Sequence, residues 1–240
     1  MKTYQQSAHR PAMLFLVACL GLAATAQAGP PLICHAISIG QAASLPWSTD
    51  GRSWAGDQHY NVGNLAHDTL AILDSNPSVL VRMETLRRAT IYARQDPHVA
   101  KELLTRLYSR AMRSEAPGKP DALAWFDAGY LVECYKEWIG QNLPHMTDGL
   151  RLDPNPATDL DGYAWVQKAI SMRGHDAEME FAAALITLEG PARSRREHVE
   201  AAMAGAKSDA LLAQNLTSHF IGEKGESIAD LFEKVDTAKN

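Results

Sequence analysis

Asp121-Ala-Leu-Ala-Trp-Phe-Asp-Ala-Gly-Tyr-Leu-Val-Glu-Cys-Tyr-Lys-Glu-Trp-Ile139 is the stretch on which the fold turns. Drawn as a helix, it places apolar residues on nearly every side, and a helix apolar all round is buried in a core. Lys119-Pro120 precedes it, where proline can open a helix, and Gly140 follows as a stop. The stretch holds two of the five tryptophans and one of the two cysteines outside the N-terminal leader. A central helix with the others packed around it is the expectation.

Working back from it, every periodic segment from Asn61 onward reads as helix. Val62, Leu65, Ala66, Thr69, Leu70 and Leu73 keep helical spacing up to Asn76-Pro77. Val79, Leu80, Met83, Leu86, Ala89 and Ala93 form the next stripe. Arg82, Glu84, Arg87, Arg88 and Arg94 are placed mostly on its other sides. Asp96-Pro97 is a cap with a first-turn proline, and Val99, Leu103, Leu104, Leu107 and Met112 carry a third helix to Pro117-Gly118.

Working forward, residues 140–159 hold Pro144, Pro154 and Pro156 among Asn, Asp and Thr, which reads as a long surface loop between two helical halves. Helices are expected near 160–172, 176–188, 194–206, 209–220 and 227–235. No strand pairing is evident. The fold class is all-α, in stacked antiparallel helical hairpins, either an α-solenoid or an irregular bundle. Its parts are a leader (1–28), a non-helical arm (29–60), an N-terminal helical half (61–139), the loop (140–159) and a C-terminal helical half (160–240).

Asp176-Ala177 and Asp209-Ala210 each open a helix, 33 residues apart, with a second helix around His198 to Ala204 between them. That period and two-helix unit resemble tetratricopeptide-type repeats. Trp125 with Ala128-Gly129 is similar to the Trp, then Leu-Gly three and four positions later, of such a repeat. Ala128 stands where Leu is usual and Val132 where Tyr is usual. The resemblance implies stacked hairpins and names no ligand.

The leader has a positive start at Lys2 and Arg10, an apolar run from Met13 to Leu22, and a small-x-small site at Ala26-Gln27-Ala28. That is the pattern of a secretory signal, too short to span a bilayer as a folded helix. The alternative is Leu16-Val17-Ala18-Cys19, a bacterial lipoprotein box that would anchor the chain through Cys19. Cleavage after Ala28 removes Lys2 and Arg10 and no acid, taking the net charge from −5 to −7. A balance this acidic argues against a sequence-independent nucleic-acid role. No later segment is apolar enough to cross a membrane.

Two cysteines remain, Cys34 in the arm and Cys134 on the central helix. An oxidising compartment favours a disulfide between them, and two separate thiols are the alternative. Trp47 and Trp54 either clamp the arm onto the body or form a stacking surface for a ligand such as a sugar. Asp127, set among Leu123, Tyr130, Leu131 and Cys134, is expected to be buried and to need a partner. The basic residues Arg82, Arg87 and Arg88 can supply one.

His35 followed by His67-Asp68 is similar in part to an all-α metal phosphohydrolase family, but here the first His sits in a proline-flanked arm. A second pair, His175-Asp176, shows that the dipeptide arises as cap chemistry. Cys34-His35 with His59 or His67 offers ligand types for copper or zinc but fixes no geometry. Asp127 and Glu133 lie six residues apart and so point roughly 120° from each other, unlike converging glycosidase acids. No cofactor or metal is assigned.

The expectation is an exported helical module of the bacterial cell envelope that binds or assembles with a protein or peptide. Trp47, Trp54 and Asp127 are its candidate binding residues. The alternative is an envelope enzyme, such as a hydrolase of cell-wall material, with Asp127 and Glu133 as its acids.

Overall fold

Asp121 caps the central helix by accepting from the Ala124 amide, and in a computed structural model that helix is the fifth of nine α-helices among the described residues. The structure describes residues 30–48, 56–116, 118, 120–138, 155–188 and 192–220. Among them there is no strand. The helices are α1 (Pro31–Cys34), α2 (Leu65–Ser75, after a 3-10 turn at Val62–Asn64), α3 (Val79–Ala93), α4 (Pro97–Arg113) and α5 (Ala122–Lys136). After the loop come α6 (Gly162–Arg173), α7 (Ala177–Ile186), α8 (Ala192–Ala206) and α9 (Ala210–Phe220). The leader, with Cys19 and the Ala26-Gln27-Ala28 site, lies outside the described residues, as do Trp54, residues 139–154 and the helix expected near 227–235.

Aspartates start most of the helices. Asp96, Asp121, Asp161, Asp176 and Asp209 each accept from amides in the first turn of α4, α5, α6, α7 and α9. Each such cap is worth about 1 kcal/mol. Glutamates from neighbouring helices meet the starts of two further helices, α1 and α3, and that of α6 a second time. Glu133 accepts from Tyr163 in α6, Glu137 from Leu32 and Ile33 in α1, and Glu178 from Val79 and Leu80 in α3. A carboxylate at a helix N-terminus meets both free amides and the positive end of the helix dipole. These contacts therefore fix how the helices are mounted on one another.

α5 is buried as expected: Ala124 to Val132, Cys134 and Tyr135 are all inside. Its largest packing surface is with α6. The two run antiparallel, Trp125 meeting Trp165 while Glu133 reaches Tyr163. Gly129 and Gly162 make the approach possible, since a Cβ on Gly129 would lie 2.6 Å from the Gly162 carbonyl oxygen. This is the Gly of the repeat-like Trp125-Ala128-Gly129 pattern, packed against the second helix of a hairpin. α7 and α8 form the next antiparallel hairpin, with Gly205 late in α8 against Ala177 at the start of α7. No described helix is long and apolar enough to cross a membrane.

Two expectations need correction. The arm expected to be non-helical over 29–60 contains one helical turn, Pro31–Cys34, set against Glu137. α3 was read as two-sided, yet every one of its residues except Arg88 is buried. The arm packs along the side of Glu84, Arg87 and Arg88, where Glu84 pairs with both arginines, and Arg82 pairs with Asp127. Cys34 and Cys134 are free thiols in the structure.

Candidate functional site

Residues 30–48 run along a seat built by α3, α5, α7 and α9, and this seat is the candidate functional site. Four arm side chains are its apolar anchors: Leu32, Ile33, Ile37 and Leu45 are all at most 3% exposed. Burying each contributes about 1.5–3 kcal/mol before chain entropy is counted. Between them Ala36, Gly40, Gln41, Ala43 and Pro46 face outward.

The polar contacts of the seat are made mostly to the arm's backbone, with the Ser44 hydroxyl meeting that of Thr85 at 2.9 Å as a side-chain exception. Glu137 accepts from the Leu32 and Ile33 amides, and Arg87 donates to the Ile33 carbonyl. Glu84 accepts from the Ile37 amide at 3.0 Å. Asn215 accepts from the Ser38 amide at 2.8 Å and donates to the Ser38 carbonyl at 2.9 Å. Arg88 donates to the Leu45 carbonyl, and the Tyr92 hydroxyl to that of Pro46. A seat that reads backbone groups and apolar anchors accepts an extended segment with little regard to its outward side chains.

Glu84 anchors the electrostatics. Its two oxygens take Arg87 and Arg88 at 2.7–2.9 Å as well as the Ile37 amide. These partners hold its carboxyl below the usual range although burial pushes the other way. Trp47 lies against the same arginines, with the Arg87 and Arg88 guanidiniums 5.0 and 5.4 Å from its ring centroid and Tyr92 edge-on at 5.9 Å. Trp47 is thus a clamp on the arm. Burial pushes the Cys34 thiol up to about 11, reinforced by Glu137, so it is not an activated nucleophile.

Asp127 has the partner that its burial required. It accepts from Arg82, whose other nitrogen caps the end of α2 by donating to the Leu73 and Asn76 carbonyls. Burial pushes Asp127 up to about 6, which Arg82 only partly offsets. Glu133 is spent on the Tyr163 amide and Lys136. The two acids face different helices and do not share a cleft.

A second polar cluster lies in the C-terminal hairpin. Glu180 accepts from His198 at 2.6 Å, and the far nitrogen of His198 meets the Tyr163 hydroxyl at 2.7 Å. His175, with a left-handed φ of 70°, bonds the other Glu180 oxygen. Carboxylate, imidazole and phenol in line can relay a proton. Burial and nearby acids raise the Tyr163 phenol, however, so the chain of bonds does not ready it for attack. His67 is exposed and bonds its neighbour Asp68. Among the described residues no group of three His, Cys, Asp or Glu side chains could hold a metal ion.

No protein-family model, curated protein or solved structure matches the chain. The site must therefore be read from its own geometry. Sequence reasoning had named Trp47 and Asp127, but not Glu84, Glu137 or Asn215, which do the holding. Their only signal in the sequence is a polar residue inside an apolar helical stretch.

Proposed function

We propose that this chain is an exported helical binding or assembly module of the bacterial cell envelope, and that its groove takes an extended apolar segment by the backbone. The observation that carries this reading is the arm's seat. A groove between stacked helices contacts six backbone positions and buries four apolar anchors. In the folded chain that groove is filled by the arm, which acts as an internal ligand. An incoming segment of similar pattern would compete with it.

Competition is the test. Ile37→Asp weakens the arm without altering the groove. A labelled peptide with the sequence of residues 30–47 should bind this variant with micromolar affinity and bind the unaltered chain at least tenfold more weakly. Equal binding to both, or to neither, overturns the reading. The cellular address rests on the leader and has its own test. The exported protein should begin at Gly29, and a lipid-modified Cys19 at the N-terminus would replace secretion by anchoring.

A further inference from the structure

Two imidazoles meet where the arm crosses α9. His35 and His219 have ring centroids 6.2 Å apart at an interplanar angle of 74°. His219 is 5% exposed and lies edge-on to Phe181. Its Nδ1 sits 2.8 Å from the Asn215 carbonyl oxygen, an obligate acceptor, so Nδ1 carries the proton. Its Nε2 is then a bare lone pair. That atom is buried and has no hydrogen-bond partner among the described residues, and the same holds for Nε2 of His35. A buried nitrogen without a partner is destabilising. Here there are two on adjacent rings.

We infer that His35 and His219 form a two-coordinate site for a soft monovalent d10 cation, Cu(I), through their Nε2 atoms. The spacing fits. A metal–imidazole bond is about 2.0 Å, and each nitrogen lies roughly 1.1 Å from its ring centre, so two rings in line on one ion stand roughly 6.2 Å apart. The Nδ1–carbonyl bond of His219 is the outer contact that usually orients a ligating histidine. Burial lowers the basicity of both rings, most strongly at His219, and so leaves the lone pairs unprotonated at neutral pH. Two neutral donors suit a low coordination number, and imidazole suits copper. Arg87 lowers the basicity of both rings, and Glu84 opposes it at His219. The site does not depend on the groove having an outside ligand. Its bound ion would staple the arm onto α9.

The full chain with Cys19 and Cys34 both changed to Ser keeps one thiol, Cys134, which is fully buried in α5. Titrated anaerobically against the Cu(I)–bicinchoninate complex with ascorbate present, it should withdraw one Cu(I) per chain. X-ray absorption should show a two-nitrogen imidazole shell at about 2.0 Å. His35→Ala, at a half-buried arm position, should lower the affinity at least 100-fold while its helical circular dichroism is kept. His219→Asn should do the same if it folds, but the test does not depend on it. Failure to withdraw Cu(I), binding unchanged in His35→Ala, or a first shell containing sulfur would each overturn the site.

Discussion

The side-chain amide of Asn215 bonds both backbone groups of one residue, Ser38, taking its amide hydrogen and giving one back to its carbonyl, while its second N–H is spent on the Leu211 carbonyl. The pairing is that of a neighbouring β-strand, supplied by a single buried side chain from a helix. Asn215→Asp keeps an acceptor for the Ser38 amide but sets a carboxylate oxygen against the Ser38 carbonyl. We expect a loss of about 2–4 kcal/mol in urea unfolding, with protease cleavage appearing within residues 36–44 of the arm. A variant as stable and as protease-resistant as the unaltered chain would remove Asn215 from the seat.

Arg82 and Asp127 are 3% and 0% exposed, and each is the other's counter-ion. Removing one leaves a charge buried alone, so Arg82→Met or Asp127→Leu singly should destabilise by about 3–5 kcal/mol. The double variant should cost markedly less than the sum of the two, because no charge is stranded. Additive losses in a double-mutant cycle would show that the pair does not interact as described.

Gly129→Ala tests the helix crossing at the centre of the fold. The added methyl meets backbone on α6, which cannot rotate away, so the helices must part. A loss of about 3 kcal/mol is expected by thermal unfolding. Ser171→Ala, at an exposed position on α6, should change stability by less than about 0.5 kcal/mol and serves as the control.

Acid should loosen α9. His219 is held at about 4 in the fold, against 6.5 for an unperturbed imidazole. Between those values the unfolded chain binds the extra proton, so this residue's contribution is fully present above pH 6.5 and is lost as pH falls towards 4. The span amounts to about 3 kcal/mol. Asp127 works the other way, since its raised carboxyl favours the fold at low pH and loses that advantage as pH climbs from about 4 through 6. Exchange of His219 for Gln should remove the share due to the imidazole, so that the stability advantage of the unaltered chain over the variant grows as pH climbs from about 4 to 6.5. Identical profiles for the two proteins would refute the assignment.

The helical body was legible because its punctuation is chemical. Asp96, Asp176 and Asp209 announce helix starts, and the apolar surround of Trp125 to Tyr135 announces a buried helix. α3 was misread for a physical reason. Helical periodicity separates apolar from polar faces, and it assigns Glu84 and Arg87 to water. In the fold these residues neutralise each other and turn their remaining hydrogen-bonding capacity to the arm. A segment lying more than forty residues away thus decides their burial, and no local pattern records it. Asn215 escaped notice for the same reason, being one amide in a helix whose partner is 177 residues distant. Trp47 was legible only as an alternative between clamp and ligand surface; in the fold its ring lies against Arg87, Arg88 and Tyr92.

The seat also sets an order of events during synthesis. Ser38 leaves the ribosome 177 residues ahead of Asn215. At about 5–20 residues per second, Leu32, Ile33 and Ile37 wait on the order of ten to thirty-five seconds for the last wall of their groove to exist. The first apolar segment of the body to be made is the last to find shelter, and until α9 is complete it is a natural target for a chaperone.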